Sequence, residues 1–140
     1  MKNNAKLIIE KLDANILVVG KTGSGKSTFI KGLNIPDSYY FDFPSIKESK
    51  SWDYPVSLTD RNFKDFDFEN LKEKTIILDA VEFSDDVDNS PLINFIRNVA
   101  GKGKRIIAVA FPENAKKVHS VFDAVIEMKK ESGHFYNEVL

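Results

Sequence analysis

The stretch NILVVGKTGSGKSTFI, residues 15–30, decides how the rest of the chain is read. Residues 15–20 form an unbroken apolar run, rich in β-branched side chains and closed by glycine, the pattern of a strand buried on both faces. GKTGSGKS, residues 20–27, then satisfies the spacing G-x-x-x-x-G-K-[ST]. It stands between that strand and a helix expected over 25–32, with Phe29 and Ile30 packing inward and Gly32 near the stop. Gly20, Gly23 and Gly25 permit positive φ and close backbone approach, so successive N–H groups can wrap a phosphate. Lys26 is placed for the β and γ phosphates, and Ser27 offers a hydroxyl to Mg²⁺. The following helix adds its positive end. Lys21, Thr22, Ser24 and Thr28 are placed to supply further backbone or hydroxyl contacts to the same cradle, with loop filler the competing reading for Thr22, Ser24 and Thr28. A turn that only joined strand to helix would have no need of Lys-Ser after its last glycine.

Downstream, strand-like runs recur at YYFDF (39–43), closed by Pro44, and at TIILDAV (75–81), RIIAVAF (105–111) and AVIEM (124–128). The helical patterns SPLINFIRNVAGKG and ENAKKVHSVF separate the last three, with Ser90 as N-cap, Pro91 in the first position and Gly101 as the stop. NAKLIIEKL, ahead of the first strand, reads as a short amphipathic helix. Strands separated by helical patterns mean βαβ units, hence an α/β, three-layer fold with a mainly parallel five-stranded sheet flanked by helices. Residues 45–74, which hold Trp52 and Pro55, are the hardest to assign. Phe63, Phe66 and Phe68 should pin that segment to the core, because three aromatic rings are too much apolar surface to leave in water.

At 140 residues the chain reads as a single domain spanning 1–140. No apolar run reaches the ~18 residues of a membrane span, and the charged amino terminus lacks the pattern of a secretory signal. With no cysteine, disulfides and thiolate metal sites are excluded, and the chain reads as cytoplasmic. Twenty basic residues against 21 acidic give a net charge of −1, so nothing global attracts a nucleic acid. The clusters Lys102/Lys104/Arg105, Lys116/Lys117 and Lys129/Lys130 read as solvated surface. His119 and His134 are too isolated to suggest a metal site.

TIILD, residues 75–79, ends an apolar strand on an acid, as expected of the carboxylate that reaches the magnesium beside a phosphate loop. Asp79 therefore joins Ser27 as a metal-site residue and Lys26 as a catalytic one. Hydrolysis also needs a group to position and deprotonate water, and the following residue, where a glutamate is common, is Ala80. Strand alternation points Ala80 and Glu82 the same way, about 6.6 Å apart, which makes Glu82 the candidate base. A bend after Val81 would bring it toward the γ-phosphate. Asp85, Asp86 and Asp42 are lesser candidates, and a surface or capping role is the competing reading for all four.

With these residues in place, the chain resembles the additional-strand (RecA-like) P-loop ATPases, and within them a minimal form of the FtsK and HerA motors. ILVVGKTGSGKSTFI, YYFDFP, TIILDAVEF and GKGKRIIAVAFPENAKKVHSVFDAVIEM carry the resemblance. It implies a P-loop NTPase fold with strand order 5-1-4-3-2, ATP and Mg²⁺ as cofactors, and a homo-oligomer or partner subunits that supply an arginine. Of Arg61, Arg97 and Arg105, Arg97 falls nearest the position of such a residue, though an ordinary helix-surface arginine is the favoured reading. Two departures touch hydrolysis rather than binding: Ala80, and Ala110-Phe111 where the family has a polar sensor.

The expected function is thus a Mg²⁺-dependent ATPase that moves a nucleic acid or protein. The alternative is a nucleotide-binding regulatory or assembly module with weak or no hydrolysis. A small kinase fits less well, since three arginines do not make a phosphate lid. A GTP switch is disfavoured because no N-K-x-D stretch is present.

Overall fold

The computed structural model describes residues 4–21, 23–48 and 57–140. Thr22, Trp52 and Pro55 lie outside the described residues. The first elements are α1 (Ala5–Lys11), β1 (Ile16–Gly20), α2 (Lys26–Lys31), β2 (Ser38–Asp42), α3 (Phe43–Glu48) and α4 (Asp60–Phe63). They are followed by β3 (Thr75–Val81), α5 (Pro91–Val99), β4 (Arg105–Ala110), α6 (Pro112–Ala115), β5 (Ala124–Glu131) and β6 (His134–Val139). The strands form one mixed six-stranded sheet of order β2-β3-β4-β1-β5-β6. All neighbours are parallel except β5 and β6, which are antiparallel.

Helices cover both faces, so alternate residues of one strand enter different cores. Leu17 and Val19 of β1 join Ile76, Leu78, Ile106 and Ala108 beneath Leu92, Ile93, Ile96 and Val99 of α5. Ile16 and Val18 join Ile77, Ile107, Val109 and Ile126 beneath Ala5 and Ile9 of α1 and Ile30 of α2. Every residue of β1 and β4 is buried, which is why they read as continuous apolar runs. The edge strands β2 and β6 are largely half-exposed.

The expected sheet of five strands in the order 5-1-4-3-2 is corrected by a sixth strand: β6 joins beside β5, giving 6-5-1-4-3-2, and makes the sheet mixed. The cause is local turn chemistry. Instead of stopping at Met128, β5 runs to Glu131, turns through Ser132 (φ 50°) and Gly133 (φ 80°), and returns as β6 from His134. A two-residue loop with positive φ at both positions matches the twist of paired strands, and Ser-Gly was its signal. Pro44 does not merely close a strand but lies in the first turn of α3, where its missing N–H costs little. Gly101 sits inside a 3₁₀ turn, and the left-handed stop is Gly103 at φ 73°. The helix expected over ENAKKVHSVF is only one turn, α6, continued as a 3₁₀ segment from Lys116 to Val121.

Ser90 caps α5 as expected, accepting from Ile93 N at 3.1 Å. The three phenylalanines also anchor their segment. Phe68 is buried, with its ring centroid 4.8 Å from Phe41 and 5.3 Å from Phe63, while Phe66 lies 4.8 Å from Phe41.

Buried Asn15 ties the base of the sheet together. Its Oδ1 accepts from Ile106 N at 2.8 Å, and its Nδ2 donates to the Ile96 carbonyl at 3.3 Å. Asn15→Ala strands one donor and one acceptor, so unfolding free energy should fall by about 2–4 kcal/mol. Urea denaturation reads this as a lower midpoint at unchanged slope; an unchanged midpoint would refute it.

Candidate functional site

The carboxyl ends of the parallel strands, where α/β sheets hold their ligands, gather the residues singled out above. β1 ends at Gly20 and the chain loops into α2 through Gly25, whose φ is 86°. At Gly20 the constraint is space: a Cβ would fall 2.4 Å from Ser24 Oγ and 3.0 Å from the Met128 carbonyl oxygen. Lys26 folds back over the loop, its ammonium donating to the carbonyls of Gly20 and, at 3.0 Å, of Lys21. The same group lies 4.7 Å from the centroid of the Phe111 ring. Burial pushes the Lys26 ammonium below its ordinary pKa, opposed by the charges of Asp79 and Glu113.

Asp79 is buried near the end of β3. Ser27 Oγ donates to its Oδ2 at 3.0 Å, and the Tyr40 hydroxyl donates to the same oxygen from the neighbouring strand. Burial, and secondarily that hydrogen bond, push the Tyr40 phenol above its ordinary pKa and keep it a neutral donor. The carboxylate is thus held by α2 and β2 at once.

A cavity of about 300 Å³ opens here, with Lys26, Ser27, Thr28, Asp79, Ala80 and Phe111 in its wall. Asp79 is the only acid among its described lining residues. Ala80, at φ 68°, sits in a bulge: Leu78 pairs with Ala108 and Val81 with Ala110, leaving Asp79 and Ala80 opposite Val109. The regular alternation assumed for Ala80 and Glu82 is therefore broken. Ala80 lines the cavity, whereas Glu82 is exposed and outside its wall, its N–H donating to the Leu58 carbonyl at 2.9 Å.

Other candidates have surface or structural partners. Asp42 is the register partner of Asp79 but pairs with Lys31 at 3.4 Å and accepts from Ser45 at 3.0 Å. Asp85 binds Lys117, and Asp86 accepts from Asn89. Arg61 and Arg97 are exposed. Arg105, far from the loop at the start of β4, is buried and donates to Thr75 Oγ1 at 3.0 Å and the Leu12 carbonyl at 2.7 Å. Lys102 pairs with Glu69 at 3.0 Å and Lys104 donates to the Leu71 carbonyl, so with Arg105 buried this run forms no basic patch. Among the described residues, no group of three potential metal ligands occurs, and no helix is long and apolar enough to cross a membrane.

Sequence reading missed Tyr40 and Glu113. Tyr40 lies within YYFDF, but only the structure shows that, paired in register with Ile77, it reaches diagonally to the acid of the next strand. Glu113, exposed in the first turn of α6 just after β4, is linked to the site only by its charge acting on the Lys26 ammonium. No protein-family model matches the chain, and no curated protein matches it.

Proposed function

We propose that the chain is a P-loop protein that binds ATP with Mg²⁺, and that it is an ATPase coupling hydrolysis to movement of a nucleic acid or protein. It would work as a homo-oligomer or with partner subunits that contribute the arginine it lacks near the cavity. The observation that carries the reading is the Ser27 to Asp79 hydrogen bond of 3.0 Å beside the glycine loop. Two hard oxygen donors converge there from different elements, the donor chemistry that magnesium prefers. Ser27 would hold the ion directly and Asp79 through a bound water, with phosphate oxygens and further water completing its shell. Bound magnesium neutralises charge on the phosphates. Lys26 would leave the Gly20 and Lys21 carbonyls for phosphate oxygens, while the loop amides and Thr28 orient the rest.

Ala80 and Phe111 in the cavity wall favour a second reading, a nucleotide-binding regulatory or assembly module with little hydrolysis. Phosphate release and nucleotide binding measured on one sample, with ATP and GTP and with or without DNA, separate the two. Glu82 and Glu113 both lie outside the cavity wall. Within the ATPase reading one of them would have to move in over the bound nucleotide to act as base, and Glu82→Gln or Glu113→Gln would then cut turnover by about 100-fold at unchanged binding. Full turnover in both variants removes both carboxylates from the mechanism. Tight binding without phosphate release in the wild type selects the module.

A further inference from the structure

A second hollow, about 340 Å³, adjoins the loop cavity, and the two share Gly25 and Thr28. Phe29 of α2, Met128 of β5, and Phe135 and Tyr136 of β6 form most of its wall. Phe135 is 57% exposed, whereas every other described phenylalanine is buried or half-buried. The ring is nevertheless seated against the glycine loop: a Cβ added at Gly25 would stand 3.3 Å from its Cδ1. The Lys130 ammonium lies 5.1 Å from its centroid. A glycine is thus needed at position 25 for two reasons, the positive φ and the room it gives this ring.

A nucleotide with its terminal phosphates beside Lys26 and Ser27 must carry its nucleoside out of the first cavity. Two neighbouring hollows offer a path. One shares only Gly23 with the first cavity and is walled by Glu127, Glu131, Lys129 and Lys130. The other passes over Gly25 and Thr28 into a wall of hydrocarbon and aromatic rings. A flat base gains more from the second, where Phe29, Met128, Phe135 and Tyr136 offer apolar surface with the Lys130 ammonium at the Phe135 ring, than from the first, where Tyr136 stands among charged side chains.

We propose that the hollow under Phe135 is the nucleobase subsite, with the β5–β6 hairpin presenting the ring as a stacking platform for a purine. The assignment rests on the nucleotide-binding reading above. It also gives the sixth strand a function: without β6 the hollow beside the glycine loop would keep Phe29 and Met128 but lose the Phe135 and Tyr136 rings.

Calorimetric titration of the full chain with magnesium ATP and with magnesium tripolyphosphate, which has no base, tests this. The wild type should bind both. Phe135→Ala should weaken ATP by roughly tenfold and leave tripolyphosphate within about twofold, while Phe135→Trp keeps ATP tight. Equal ATP affinity in Phe135→Ala overturns the subsite. So does an equal loss for tripolyphosphate, which would show that the ring only props the loop through Gly25. If the wild type binds neither ligand, it is the nucleotide reading that fails.

Discussion

Replacing Lys26 with alanine should lower ATP affinity by about 100-fold and abolish any phosphate release, while the nucleotide-free protein melts no lower than the wild type. Each charge-assisted hydrogen bond to a phosphate contributes about 1.5–3 kcal/mol, and 1.4 kcal/mol is tenfold in affinity. Lys26 is the only described cation in the cavity wall, so nothing nearby replaces it. The fold has little to lose. Among the described residues the ammonium donates to two carbonyls of its own loop, and burial, which holds its pKa down, disfavours the charge. Titration with a fluorescent nucleotide beside thermal melting reads both halves. An affinity within threefold of wild type would sink the phosphate role of Lys26, and a large drop in melting temperature would instead make it a structural residue.

The parts of this fold that could be read from sequence are those where one physical demand acts alone. β1, β3 and β4 are buried on both faces, so hydrophobicity by itself marks them. Ser90-Pro91 announces a helix start because its capping chemistry is local. β6 escaped because it is an edge strand: HFYNEV is largely half-exposed and shows no apolar run. Its only marker was the Ser-Gly pair at 132–133, whose positive φ values define the hairpin. Residues 57–74 are mostly irregular and held by ring contacts across the chain, which no local pattern encodes.

The site divides along the same line. The glycine loop is contiguous in sequence, so its spacing and its place between β1 and α2 were legible without knowledge of the rest of the fold. The residues around it come from other strands and depend on register and on one bulge. Ala80 at φ 68° interrupts the alternation from which Glu82 was aimed at the cavity. Tyr40 reaches Asp79 only because Tyr40 and Asp79 lie on adjacent strands. The bulge also sharpens what Ala80 means. Its side chain faces the cavity, so the position can carry a group to the reacting end of a ligand but here carries only a methyl.

Asp79→Asn should remove most of the magnesium dependence of nucleotide binding. The amide matches the carboxylate in shape, and its oxygen can still accept from Ser27 and Tyr40, so the buried network survives while the charge does not. Residues that act on a metal through its bound water typically change metal affinity by about 10- to 100-fold, which sets the expected loss of ATP affinity in magnesium. Without the ion the sign reverses. A carboxylate beside a triphosphate repels it, so binding in chelator should be unchanged or tighter in the variant. The ratio of affinities with and without magnesium therefore collapses toward one. A ratio equal to that of the wild type would show that Asp79 serves only to fix Ser27 and Tyr40, and that the metal is held elsewhere. A matched loss in both conditions would mean instead that the substitution had disturbed the loop, which thermal melting of nucleotide-free Asp79→Asn beside the wild type would recognise.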